Sequence, residues 1–440
     1  MRRRPAVAAA AAAAADAAEG QAQTVLLVAC VAMAMAAVHR VAFSVLALPI
    51  QAQLGLTLPQ MGMLQSALLC GYLLGQVPCG MLADRLGGAP LAAAGLLLWS
   101  SVCLLFNLAP SSSNPFVALL AVRAALGLAQ SCIMPAVGNL AARWFPSASR
   151  SRWTSAVYSA YSVGTVAGLA LTPLLAEHAS WSKIYALLGL AGMAAAVAGG
   201  LALPREGHAA LQPWPAAVPA AGRSCGGMGR AGSGVGREAL VHLLMLCFVH
   251  SVISFSFFIQ QAWMPTFLAS SGFTHLSSIG VLSALPWLAT SAVSLLAGGV
   301  ADRLQAQHRW SALRVRRVMQ ALAAGGTALS LLPLALPGLR LPPLATASVL
   351  VVSVGFQGLC YSGFHAYVAE VAPQEVGLVL SITNTCGTLV GIAGTLATGW
   401  LAASPLGYSA VFAATALLQA LCLVAWLAGA HGRPLRLHMP

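Results

Sequence analysis

The chain has 440 residues, of which 59% are hydrophobic and only 7% charged, against about 25% charged in an ordinary soluble domain. A soluble fold is excluded, because so few charged side chains cannot cover its surface. The formal net charge of +13 comes from arginines scattered singly over short polar breaks, which argues against a nucleic-acid-binding face.

The opening residues 1–23 carry three arginines and then an alanine run. They read either as the remnant of an organelle transit peptide or as a disordered cytosolic tail. Beyond them, apolar runs broken by Gly, Pro and charge give twelve predicted membrane helices. The first six are Thr24 to Ile50, Met61 to Ala83, Pro90 to Ala109, Phe116 to Ala142, Thr154 to Ala176 and Lys183 to Leu203. The second six are Ala239 to Leu268, Ser277 to Ala301, Val315 to Leu336, Leu344 to Ala369, Gly377 to Ala402 and Tyr408 to Ala430. Each is long enough to cross about 30 Å of hydrocarbon at about 1.5 Å per residue. Residues 204–238 between the sets are rich in Gly, Pro, Ala and Arg without periodicity, the signature of a flexible linker. The expected fold is therefore all-α: a six-helix bundle at 24–203, a second at 239–430, and a short tail at 431–440.

Charge placement sets the orientation, because Lys and Arg collect in short cytoplasmic loops. Of the 22 basic residues, 18 lie in the tails, the linker and the even-numbered loops, while the odd-numbered loops hold only Lys183 and Arg340. Both ends of the chain are thus expected in the cytosol, or on the matching side of an organelle membrane. Nine of the ten cysteines fall inside apolar segments and none shows paired ligand spacing, so no disulfide, metal or cofactor is expected. No pair of intramembrane carboxylates, His cluster or Gly-rich phosphate loop points to an enzyme.

The run Gly80-Met-Leu-Ala-Asp84-Arg85-Leu86 recurs as Gly298-Gly-Val-Ala-Asp302-Arg303-Leu304, an offset of 302 − 84 = 218 residues. Each copy ends the second helix of its half, as a parallel repeat requires. Gly80 is read as permitting close helix approach. Asp84, Arg85, Asp302 and Arg303 are read either as a gate, in which the acid pairs with arginines across the bundle junction and holds one conformation, or as a plain solvated turn.

Away from the helix ends, two basic residues lie inside helices, Arg40 and Arg123. A cation at bilayer depth costs at least about 2.5 kcal/mol on insertion scales, so it calls for a counter-charge or a function. No Asp or Glu lies inside the predicted helices except at their ends, which leaves an anionic substrate as the counter-charge. Counted from the outer helix ends, the two arginines sit at depths of about 15 and 10 Å, within one turn of each other. The alternative is that they snorkel or pair with backbone carbonyls. Gln65 and Asn384 are polar groups that face either the pathway or another helix. Tyr72, Tyr161 and Trp287 either line the pathway or pack, and His39, His250 and His365 either titrate during transport or serve as hydrogen-bonded packing residues.

The segment Gly80 to Gly88 resembles the signature loop between helices two and three of the major facilitator superfamily. Gly71-Tyr-Leu-Leu-Gly-Gln-Val-Pro78, the stretch Arg123 to Arg152, Ser283-Ala-Leu-Pro-Trp287, Arg316-Arg-Val-Met-Gln320, Val371-Ala-Pro373 and Ser381-Ile-Thr-Asn384 resemble its anion-cation symporter family. Gln65 stands where the glutamate carriers of that family have His, so the chain is more similar to the plant and algal phosphate transporter branch. The resemblance implies a monomeric secondary transporter in the plastid envelope or another organelle membrane. Its substrate would be a small anion, phosphate or an organic carboxylate, moved with sodium or a proton among membrane lipids. It makes Arg40, in His39-Arg-Val-Ala-Phe-Ser44, and Arg123 substrate contacts. Two acids of the family pattern are replaced, one by His39 and one by Gln130, which leaves the usual proton route in doubt.

Overall fold

The computed structural model describes residues 4–145, 150–203, 236–373 and 375–435. The expected linker lies almost wholly outside these residues. Twelve helices among them are long and apolar enough to cross a membrane. In chain order they are α1 (Glu19–Leu54), α2 (Leu58–Leu86), α3 (Gly88–Ser111), α4 (Pro115–Leu140), α5 (Ser155–Ala176) and α6 (Trp181–Ala202). The second half holds α7 (Arg237–Ser270), α8 (Leu276–Ala306), α9 (Ala312–Ala335), α10 (Pro343–Val371), α11 (Val376–Ala403) and α12 (Gly407–Gly429).

The residues from Arg4 onward are helical and continuous with α1, in one helix Arg4–Leu54. Alanine is the best helix former, and a run of it extends a helix instead of fraying it. Elsewhere the starts follow capping chemistry. Thr57 and Gln60 form a capping box at α2, and Asn114 accepts from the Val117 N–H ahead of Pro115 at α4, each satisfying orphan donors of the first turn.

The pairing of helices repeats with a shift of six. α1 packs on α5 as α7 packs on α11, α2 on α4 as α8 on α10, and α3 on α6 as α9 on α12. The bundles meet along α2 with α11 and α5 with α8. On the side away from the arginine-rich loops this seam is tight: a Cβ at Gly399 would come 2.6 Å from the Leu58 carbonyl oxygen and 3.2 Å from the Cα of Gly62. Backbone approach of this kind is what small residues give in membranes.

Two helices are irregular at matching places. The regular helix of α4 is interrupted at Ser131 and Cys132, and α10 tightens to a 3₁₀ turn at Gly358–Tyr361 before restarting at Phe364. Gln320 Oε1 accepts from the restarted Phe364 N–H at 3.3 Å. Irregular backbone at bilayer depth survives only where protein groups satisfy it.

Candidate functional site

The site grows from the crossing of α2 and α4. A Cβ at Gly71 would fall on the Ala124 carbonyl, and one at Gly127 on the Leu68 carbonyl, so the two helices touch backbone to backbone. That approach carries Arg123, one turn before Gly127, onto α2. Its Nε donates to the Leu64 carbonyl at 3.0 Å and its Nη2 to Gln65 Oε1 at 3.0 Å. The guanidinium lies 3.9 Å over the Phe43 ring centroid, and Phe43 is backed by Phe106, itself stacked on Tyr185. Arg123 is 2% exposed, yet its Nη1 has no hydrogen-bond partner.

A backbone carbonyl and an amide oxygen fix the orientation of Arg123, and one of its amino groups is left without a partner. A guanidinium is suited to this division, because its five donors sit in a rigid fork.

Arg40 reaches the same cavity from α1, its guanidinium 5.0 Å from the Tyr72 ring centroid, with its buried Nε unpartnered. Arg40, Gln65 and Arg123 line one central cavity with Ser44. From the second bundle, Phe258, Gln261, Ala262 and Thr395 close it. No Asp or Glu lines it. Among the described residues the ion pairs are Arg316 with Glu370 at 2.8 Å and Arg433 with Glu238 at 3.1 Å, and neither touches this cavity.

The other sequence-predicted residues divide. Gln130 is fully buried beside the α4 irregularity, its Nε2 donating to the Ala36 carbonyl at 3.3 Å and its Oε1 unpartnered. Tyr161 lies near Tyr72 and, across the seam, near Tyr361. Asn384 is exposed on α11 and does not line the cavity. His39 Nε2 donates to the Leu188 carbonyl at 3.0 Å, a link from α1 to α6. His250 bonds Thr383 Oγ1 at 2.8 Å, with the His365 ring centroid 5.7 Å from its own. Trp287 packs edge-on against Phe257 in a cluster with Val41, Val45 and Leu169 of the first bundle.

The gate residues are exposed. Asp84, Arg85, Asp302 and Arg303 stand at the arginine-rich end of α2 and α8, and neither aspartate has an ion pair within the described residues. A Cβ at Gly80 would meet only open space, so the close approach expected there belongs to Gly71 and Gly75 further up α2. The turn after Asp84 is held from α4 by Asn139, whose Nδ2 donates to the Ala83 carbonyl at 3.1 Å while its Oδ1 accepts from the Gly88 N–H at 2.8 Å.

Sequence reasoning missed Asn139, Gln261 and Thr395. Two consecutive amides, Gln260 and Gln261, inside an apolar helix were a readable signal. Thr395 carried none, because threonines in membrane helices routinely turn their hydroxyls onto their own backbone.

The Major Facilitator Superfamily profile matches residues 25–395. "Probable anion transporter 4, chloroplastic" of Oryza sativa subsp. japonica is 30% identical over 413 residues, covering 92% of this chain and 67% of that protein. "Sodium-dependent phosphate transport protein 1, chloroplastic" of Arabidopsis thaliana is 32% identical over 369 residues, covering 82% and 70%. The crystal structure of a D-xylose-proton symporter superposes with a TM-score of 0.70 at 14% identity, over 93% of this chain and 99% of that one. Repeat, helix pairing and matched profile agree: the chain is a multi-pass membrane transporter, not an enzyme, and it belongs to the Major Facilitator Superfamily.

Proposed function

We propose that the protein carries a small oxyanion, inorganic phosphate or a small organic carboxylate, across the membrane by rocking its two bundles around the central cavity. One observation carries this reading: Arg40 and Arg123 line the same cavity and no carboxylate does. Two guanidiniums held together without an anion are costly in a low-dielectric setting. A bound oxyanion relieves that cost and takes charge-assisted hydrogen bonds from Arg123 Nη1 and from Arg40. The names of the plant relatives, which specify anion and sodium-dependent phosphate transport, support the same substrate class.

Movement against a gradient is proposed to draw on sodium or a proton. With His39 and Gln130 in place of the family's acids, and His39 tied to Leu188, a proton would need another carrier. The membrane proposed is the plastid envelope or another organelle membrane, in line with the chloroplast relatives. The rival reading is a facilitator of an uncharged solute. The test is uptake into liposomes of labelled phosphate, malate and a neutral sugar, with and without imposed sodium and proton gradients. Saturable phosphate or malate uptake that the sugar does not inhibit supports the proposal; sugar uptake without anion uptake rejects it.

A further inference from the structure

Away from the central cavity, a groove of about 410 Å³ opens between the start of α9 and the end of α12. Ser311, Arg314 and Arg317 line it at the arginine-rich end, with Leu427 of α12 beside them. Val318 and Ala321 continue it one and two turns deeper along α9. No Asp or Glu lines it. The same helix faces run on through Leu322 and Leu329 of α9 and Val424, Leu421 and Leu417 of α12, all exposed. Large apolar side chains exposed along a membrane helix face the lipid, so the groove opens onto the bilayer.

The helix α9 begins Ala312-Leu-Arg-Val-Arg-Arg317, and its three arginines serve two different faces. Arg316 turns to Glu370 at 2.8 Å. Arg314 and Arg317 are three residues apart, a spacing that puts two side chains on one helical face with about 5–6 Å between their Cβ atoms. Neither has an acid partner among the described residues. Both are positioned without being neutralised. The Arg314 guanidinium lies 4.2 Å from the Trp310 ring centroid. Arg317 Nη2 donates to the Leu427 carbonyl, and Trp426 Nε1 donates back to the Arg317 carbonyl at 3.2 Å. The first bundle has no such charge at the matching place, because α3 starts Gly88-Ala-Pro-Leu91. Packing of the repeat therefore does not require it.

We propose that this groove binds an anionic phospholipid, with its phosphate between Arg314 and Arg317 and an acyl chain along Val318, Ala321 and Leu427. Two unneutralised guanidiniums on one face offer donors to a single phosphate. They stand at the level where headgroups of the arginine-rich side lie, and basic pockets between membrane helices on that side suit anionic headgroups. The first turn of α9 adds the positive end of its dipole. A free anion would use only the polar end. The apolar wall running on from the arginines toward the bilayer fits a ligand with both a charged head and a hydrocarbon chain. The site is separate from the central cavity, so it does not depend on which substrate that cavity takes.

The test is native mass spectrometry of the purified transporter in detergent, supplied with phosphatidylglycerol and phosphatidylcholine in equal amounts. The unaltered protein should retain phosphatidylglycerol in preference to phosphatidylcholine. Arg314→Gln leaves the Arg317 contact with α12 in place and should lower that retention about fivefold, the effect of one basic residue near an anionic headgroup. Adding Arg317→Gln should erase the preference. Ala321→Trp, which fills the apolar wall and keeps both arginines, should also lower retention, and excess inorganic phosphate should not displace the lipid. Arg143→Gln removes one exposed charge from the same side of the membrane in the first bundle and should change nothing. An unaltered protein without preference, or an equal loss with Arg143→Gln, would overturn the site in favour of a diffuse basic surface. Displacement by inorganic phosphate, or full retention by folded Ala321→Trp, would overturn the lipid as its occupant.

Discussion

Gln65 holds Arg123 at one end of its amide and the opposite bundle at the other. Oε1 accepts from Arg123 Nη2 at 3.0 Å, while Nε2 donates to the Ala262 carbonyl at 3.0 Å. Gln65 thus joins the arginine, whose Nη1 is left free, to a backbone carbonyl of the opposite bundle.

Replacing Gln65 with Leu removes both bonds at nearly constant volume. A net hydrogen bond is worth about 1 kcal/mol, so the population closed on the far side should fall about fivefold relative to other conformers. Spin labels at the exposed Ala52, in the last turn of α1, and Thr274, in the loop after α7, would report it as a shift toward longer distances. An unchanged distance distribution would mean that Gln65 serves Arg123 alone.

Asp84→Asn should slow turnover far more than it weakens anion binding, because Asp84 is exposed at the arginine-rich end of α2 and does not line the cavity. Initial uptake rates set beside equilibrium binding of phosphate separate the two. Equal losses would take Asp84 out of the gate.

Gln130→Glu restores a carboxyl at a fully buried position next to the α4 irregularity. A desolvated carboxyl has a raised pKa and can load and release a proton as its surroundings rearrange. Transport by this variant should steepen with pH where the unaltered protein is flatter, measured as phosphate uptake from pH 5 to 8. An active variant with the original profile would remove Gln130 from the coupling route.

Gly127→Val should be the most damaging single change to the fold of the first bundle. A Cβ there lands on the Leu68 carbonyl, and overpacking of this kind costs about 1–3 kcal/mol even where the neighbours can move. Folded yield in detergent and the unfolding midpoint should both drop, whereas Gly80→Val, at a position with open space, should leave them unchanged.

The helices were legible in the chain because length and apolarity alone define a membrane span, and the arginine pattern oriented them. Arg40 and Arg123 were legible because a charge at bilayer depth is conspicuous. Their shared cavity was not. It depends on the Gly71 and Gly127 crossing that sets the α2–α4 distance, and sequence spacing gives depth but not rotation about the helix axis. Gly80 misled for the same reason: a glycine in a motif shows that a close approach is possible, and only the packing shows where it occurs.

The central claim is that Arg123 keeps one guanidinium nitrogen for an anion while Leu64 and Gln65 hold the others. The direct measurement is phosphate and malate binding to purified Arg123→Lys and Arg123→Ala, with folded yield checked in parallel. Lysine has a single ammonium centre that cannot serve the Leu64 carbonyl, Gln65 and an anion in the planar geometry of the fork. Arg123→Lys should fold and bind the anion at least tenfold more weakly, and Arg123→Ala should not transport. A folded Arg123→Lys protein that binds and transports at the original level would contradict the account.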